Sequence, residues 1–210
     1  MGLYVIGNGN IGKRLVQKPG LVSGIFHRKS KQSDYICDLA NPKECLFSKV
    51  SGGDVVLLTS ALSSPDECEK NPDLSIAINC DAAVEIALRL GDRGAKLIFL
   101  STDAVFGDSG GPYREGDEVC PKGEYGVSKA LAEEKMLEFM HVSIVRLSYV
   151  VHQADPFTRY LQQCRLIGDP AEVFAEFSRR VIDIDTGCQG NSAPASSSDF
   201  FHKKKIWEFG

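Results

Sequence analysis

Tyr125 and Lys129 stand four positions apart in the stretch EYGVSKALAEEKM, residues 124–136. On a helix, positions i and i+4 lie one above the other, so a phenol and an ammonium at this spacing either reach into one cavity or decorate one solvated face. Upstream, LIFLSTDAVFGD (97–108) ends an apolar run on two hydroxyls, Ser101 and Thr102. Thr102 precedes Tyr125 by 23 positions, within one β/α unit, so a hydroxyl, a phenol and an ammonium can converge at the carboxyl edge of a sheet. A third group opens the chain. In YVIGNGNIGKRL, Gly7, Gly9 and Gly12 form G-x-G-x-x-G between an apolar run and a helical pattern. Glycines there allow a tight turn and close backbone approach, and a helix start offers N–H groups and a positive dipole to a pyrophosphate; a merely tight turn is the alternative.

The next apolar run, SGIFHRKSKQ, lacks the acid that NAD-preferring dinucleotide folds place after their second strand. Arg28 and Lys29 stand there instead, where a 2′-phosphate would sit, and a guanidinium grips phosphate with two parallel hydrogen bonds. This favours NADP(H) over NAD(H), a solvated basic turn being the alternative. Asp38, after YIC, either receives an adenine amino group or begins a turn.

These residues require a scaffold of alternating elements. LYVIG, GIFH, YIC, DVVLLTS, KLIFLS and VSIVRLS are short apolar runs with polar or turn flanks, as buried parallel strands are. Helical patterns lie between them at 10–18, part of 41–50, 72–91 and 122–140. The alternation predicts an α/β chain with a doubly wound parallel sheet covered on both faces. Residues 107–121, rich in glycine and charge, predict a long loop over the carboxyl end of the sheet. The expected division is 1–150 as the nucleotide-binding domain, 151–186 as a small partial substrate lobe, and 187–210 as a poorly ordered tail.

Composition narrows the classes. The chain has 210 residues, 43% hydrophobic and 25% charged, which suits an ordinary globular protein of enzyme size. A net charge of −4 argues against nucleic acid as partner. No apolar run reaches the roughly 18 residues of a membrane span, and no signal peptide opens the chain, so a cytoplasmic location is expected. The seven cysteines show no C-x-x-C pair, so free thiols and no metal site are expected.

Taken in order, GNGNIG, LLTSALSSPDECEKNPDLSIAINCDAA, LSTDAVFGD, PYREGDEVCPKGEYGVSKALAEE and VRLSYV resemble the extended short-chain dehydrogenase/reductase superfamily. The nearest branch is that of the dTDP-4-dehydrorhamnose reductases, and the likeness covers residues 1 to about 150. It implies a Rossmann-type sheet and reduction of a keto group on a nucleotide-linked deoxysugar; the carboxyl-terminal substrate lobe is expected to be shorter than the family's. It implies Thr102, Tyr125 and Lys129 as the catalytic set. Tyr125 would protonate the substrate oxygen, Lys129 would hold the nicotinamide ribose and favour the phenolate, and Thr102 would hydrogen-bond the carbonyl. The implied cofactor contacts are Gly7, Gly9, Asn10, Ile11, Gly12, Arg28, Lys29, Asp38, Leu39, Thr59, Ser60, Ala61, Asn79, Ser101, Tyr125, Lys129 and Ser148. Asn79 is equally read as a satisfied polar group within a helix. Ala104 stands where related dehydratases carry a glutamate, and a methyl group is neither acid nor base. A nucleotide-sugar epimerase and a non-catalytic cofactor-binding subunit are the alternatives. A homodimer, or a partner subunit completing the cleft, is expected, with Arg179 and Arg180 as candidate diphosphate contacts.

Overall fold

A computed structural model describes residues 1–26, 28, 35–107, 112–152, 155–172, 181–184 and 206–209. Its centre is a parallel sheet of β1 (Leu3–Ile6), β2 (Gly24–Phe26), β3 (Val55–Leu58), β4 (Lys96–Thr102), β5 (Val142–Leu147) and β8 (Ile206–Phe209), in the order β2-β1-β3-β4-β5-β8. The apolar runs become strands because both faces are covered: Val5, Ile6, Val56, Leu58, Leu97, Phe99 and Ile144 are all nearly or fully buried. The first five strands have the 2-1-3-4-5 order of a doubly wound nucleotide-binding sheet, as the alternation predicts. Because every pair is parallel, Gly7, Thr59, Thr102 and Ser148 all follow or end strands at one edge of the sheet.

The helices are α1 (Asn10–Val16), α2 (Pro65–Lys70), α3 (Pro72–Ile76), α4 (Ala82–Gly91), α5 (Glu124–Met136) and α6 (Pro156–Ile167). The expected single helix over 72–91 is continuous but widened: α3 passes through a π-turn at Ala77–Asp81 into α4. Such widenings recur at functional sites, and this one carries Asn79. Ile86, Ala87 and Leu90 on α4, with Ala132 and Met136 on α5, pack into the core that includes Leu97, Phe99 and Ile144.

Three expectations need correction. The predicted strand at YIC shrinks to one bridging residue, Ile36, whose carbonyl accepts the Leu46 N–H at 2.8 Å. The predicted helix within 41–50 is only a 3₁₀ turn at Pro42–Glu44, held by Arg89, which donates to the Pro42 carbonyl at 2.5 Å. Between them Cys37 and Cys45 form a disulfide, so not all seven cysteines are free thiols. The turn folds them together across a spacing that has no recognisable sequence pattern. Cys68, Cys80 and Cys164 are buried thiols and Cys120 is an exposed one; Cys188 lies outside the described residues.

The tail also departs from expectation at its end. Ile206–Phe209 adds a sixth strand, pairing Ile144 with Ile206 and Leu147 with Phe209. The second division contributes α6 and a two-stranded parallel sheet of β6 (Tyr149–Val151) and β7 (Val181–Asp183). Asp155 caps α6, its carboxylate accepting from the Thr158 N–H at 2.9 Å and from the Tyr149 hydroxyl. Among the described residues no helix is long and apolar enough to cross a membrane.

Candidate active site

Thr102 closes β4 and starts the 3₁₀ turn Asp103–Phe106. Its hydroxyl accepts the Ala104 N–H at 3.2 Å and donates to the Asp103 carboxylate at 3.2 Å. The first turn of α5 lies directly on this turn. A Cβ added at Gly126 would stand 2.7 Å from the Ala104 carbonyl oxygen, so glycine is what lets the two backbones approach. The contact brings half-buried Tyr125 beside the Thr102 turn.

Lys129, one turn further along α5, is 2% exposed. Its Nζ donates to the Leu100 carbonyl at 2.6 Å and lies 3.8 Å from the Phe99 ring centroid. The three residues of the predicted catalytic set therefore sit on the two sides of one β4–α5 junction, Thr102 closing β4 and Tyr125 and Lys129 one turn apart on α5. Burial pushes the Lys129 ammonium down to about 7, against the opposing pull of Glu133 and Cys80.

Asn79 braces this junction. Its amide exchanges two hydrogen bonds with the Leu62 backbone, at 2.8 and 2.9 Å, and donates to Ser128 Oγ on α5 at 3.0 Å. Ser128 Oγ in turn donates to the Tyr125 carbonyl at 2.9 Å. Asn79 thus spends its amide on the loop after β3 and on the helix that carries Tyr125 and Lys129, which is a bracing role. Glu69 of α2 completes the frame by accepting the Glu124 N–H at the start of α5, at 2.8 Å.

Sequence reasoning missed the strongest polar contact of the site. Arg146 on β5 and Glu133 on α5 are 2% and 3% exposed and form an ion pair at 2.5 Å. Arg146 also donates to the Glu115 carbonyl at 3.3 Å and lies 4.7 Å from the Phe106 ring centroid, while Phe106 stacks on Tyr113 at 4.4 Å. This cluster fastens the loop after Thr102 to the sheet. The signals were present: Glu133 is i+4 from Lys129, and Arg146 is a charge inside an apolar strand.

The glycine turn is built differently. Gly7, with φ of +122°, leaves no room for a side chain, since an added Cβ would lie 2.6 Å from both Thr59 Oγ1 and Ser60 Oγ. Gly12 sits against the Gly7 carbonyl, where a Cβ would collide with backbone. Gly9 is the exception: a Cβ there meets nothing within 4 Å, so no part of the described chain requires a glycine. The adjoining α1 has neither a side-chain cap nor an acid in its first turn, and Asn10 is exposed with Ile11 half-buried beside it. Thr59 Oγ1 donates to the Ile6 carbonyl at 3.0 Å, fixing the end of β3 to β1, and Ser60 and Ala61 follow half-buried. The Gly7 N–H reaches the Phe26 carbonyl at 3.1 Å, which places the end of β2 next to the glycines. Arg28 is exposed there, and Lys29 lies outside the described residues, as do Arg179 and Arg180.

Asp38 begins a turn, its carboxylate accepting the Ala40 N–H at 3.1 Å. Leu39 lines a cavity of about 410 Å³ with Ala40, Leu74, Ala77 and Ile78. Ser148 is buried just past β5. Ser101 Oγ, at the carboxyl end of β4, is buried without a hydrogen-bond partner among the described residues. An open Gly9, an uncapped helix start and an orphaned Ser101 hydroxyl on one sheet edge fit a dinucleotide laid across that edge. Among the described residues no cluster could hold a metal ion.

A family model described as the RmlD substrate binding domain matches residues 1–175. The chain belongs to the RmlD substrate binding domain family. Of the relatives of this RmlD-family chain, the Bacillus subtilis spore coat polysaccharide biosynthesis protein SpsK is 41% identical over 99 residues, covering 46% of this chain and 35% of SpsK. A Mycobacterium tuberculosis dTDP-4-dehydrorhamnose reductase is 38% identical over 104 residues, covering 47% of this chain and 34% of that one. A crystal structure of dTDP-4-dehydrorhamnose reductase from Bacillus anthracis in complex with NADP superposes with a TM-score of 0.65 at 25% identity, covering 81% of this chain and 61% of that one. The matches thus span about a third of the length of the curated relatives. The RmlD-family chain is homologous to NAD(P)-dependent reductases and shares their Rossmann-type fold.

Proposed function

We propose that this chain is an NADP(H)-dependent reductase of a keto group on a nucleotide-linked deoxysugar. The observation that supports the reading is the packing of the α5 turn that carries Tyr125 and Lys129 onto the turn that follows Thr102, beside the loop 112–121. The bound nicotinamide would supply hydride. Gly7, Gly9, Asn10, Ile11 and Gly12 would receive the pyrophosphate, Arg28 and Lys29 the 2′-phosphate, Asp38 and Leu39 the adenine, and Thr59, Ser60, Ala61, Ser101 and Ser148 the remaining edge.

Tyr125 Oη gives its proton to the substrate oxygen. Lys129, as an ammonium, lowers the cost of the resulting phenolate. Thr102 Oγ1 donates to the same oxygen once its proton turns away from Asp103, while it keeps the Ala104 N–H as donor. Asn79 and Ser128 hold the first turn of α5 still during the transfer. A second copy or a partner subunit would close the cleft over the sugar nucleotide.

NADPH consumption on a panel of 4-keto-deoxysugar nucleotides, with product analysis, tests the reading. Net reduction supports it, and interconversion of epimers without NADPH loss replaces it with an epimerase. The inward bond of Lys129 to Leu100 favours one other reading, a cofactor-binding subunit without catalysis. Tight NADPH binding with no turnover on any member of the panel selects that reading.

A further inference from the structure

Lys129 is sealed between α5 and the sheet, and what surrounds its ammonium is sparse. From β4 it meets only the Leu100 carbonyl and the Phe99 ring face. Cys80, on the π-turn, is the titratable group of that helix that bears on it, and burial pushes its own thiol up. On α5 itself, Tyr125 lies one turn before and Glu133 one turn after. Positions i and i+4 share a helix face, so the buried Glu133 carboxylate lies on the same face of α5 as the buried Lys129. The other side of that carboxylate is occupied by Arg146, which donates to both of its oxygens, at 3.1 Å through Nε and at 2.5 Å through Nη2. A carboxylate gripped in this bidentate way has one orientation.

We propose that Glu133, clamped by Arg146, is the positioning residue that keeps Lys129 a charged, fixed partner of Tyr125, and that Arg146 ties this setting to the loop after Thr102. The inference deepens the proposed reductase reading and rests on it for the role of Lys129. Two neighbouring facts give it its shape. The Arg146 guanidinium also holds the Glu115 carbonyl and covers Phe106, so the loop and the carboxylate share one anchor. The burial that disfavours the ammonium is opposed first by Glu133. Further out, Glu134 is exposed, and Lys135 and Asp81 pair with each other at 2.9 Å on the surface.

The test is direct titration of Lys129. With ¹³C-labelled lysine in the full chain, the Lys129 ¹³Cε resonance, assigned by its loss in Lys129→Arg, is followed from pH 5 to 10. Wild type is expected to titrate near the value of about 7. Glu133→Leu/Arg146→Met removes the whole ion pair for apolar groups of similar size, a change that buried pairs generally tolerate. In that double variant the midpoint is expected to fall by at least about one pH unit, a tenfold loss of proton affinity. Glu133→Asp, which keeps the charge, is expected to titrate close to wild type. A double variant with the wild-type midpoint, or an aspartate variant that falls as far as the double, overturns the inference. Failure of the reductase reading shows elsewhere, as a wild type that binds neither NADPH nor NADH, and leaves this titration intact.

Discussion

The β4–α5 junction and the β1–α1 turn lie on the same sheet edge yet are made in opposite ways. At the junction almost every polar group has a protein partner: Asn79 with Leu62 and Ser128, Lys129 with Leu100, Arg146 with Glu133 and Glu115. At the glycine turn the chain leaves space, with nothing near a Gly9 Cβ and no cap on α1. The junction is preorganised by the protein, as acid–base chemistry requires of groups that must not reorganise during reaction. The turn is a mould whose remaining contacts a ligand would supply. Chemistry and stability should therefore be coupled on one side and separable on the other.

The largest effect is expected within the junction. Tyr125→Phe removes one hydroxyl and should lower turnover by about two to four orders of magnitude while NADPH affinity is kept, measured by steady-state rates and calorimetry. Near-full activity would remove the proposed acid. Arg146→Ala leaves Glu133 a buried, unpaired charge, and the expected cost is about 3–5 kcal/mol in urea unfolding. A loss below about 1 kcal/mol would show that this side is not as tightly coupled as its bonds imply.

Smaller effects sharpen the other side. Arg28→Ala should weaken NADPH by about tenfold to a hundredfold, the worth of one hydrogen bond to a charged group, and leave NADH unchanged. Equal losses for both would remove the 2′-phosphate assignment. Smallest in stability is Gly9→Ala, which should change unfolding by no more than about 0.5 kcal/mol yet weaken either cofactor. Gly12→Ala, forced against the Gly7 carbonyl, should cost about 1–3 kcal/mol in the same assay. Equal stability losses for the two alanines would end the contrast between the regions.

The sheet was legible because buried parallel strands are continuous apolar runs, and the glycine turn because its three positions sit between strand and helix. The Thr102, Tyr125 and Lys129 positions were legible through the ordered family motifs, whereas the packing of their two elements at one junction needed coordinates. Other features depend on partners far away in sequence. KIWEF carries too few residues to announce β8, whose partner β5 lies some sixty positions earlier. Cys37 and Cys45 are joined by a turn that Arg89 fixes from α4. Glu133 and Arg146 lie 13 positions apart on different elements and pair only once α5 is laid on the sheet.

Burying Lys129 has a further consequence, in the dependence of folding on pH. An unfolded lysine titrates near 10.4, whereas this one is held at about 7. Between those values the unfolded chain binds the extra proton, so the Lys129 contribution to stability rises with pH across that window and is a full penalty below it. The fold keeps at its centre a side chain that works against it most at the neutral and acid pH where the ammonium is present. Lys129→Met should therefore flatten this rise in urea unfolding between pH 6 and pH 9.5, gaining on wild type at the acid end while losing turnover throughout. A rise as steep in the methionine variant as in wild type would assign the pH dependence to other groups.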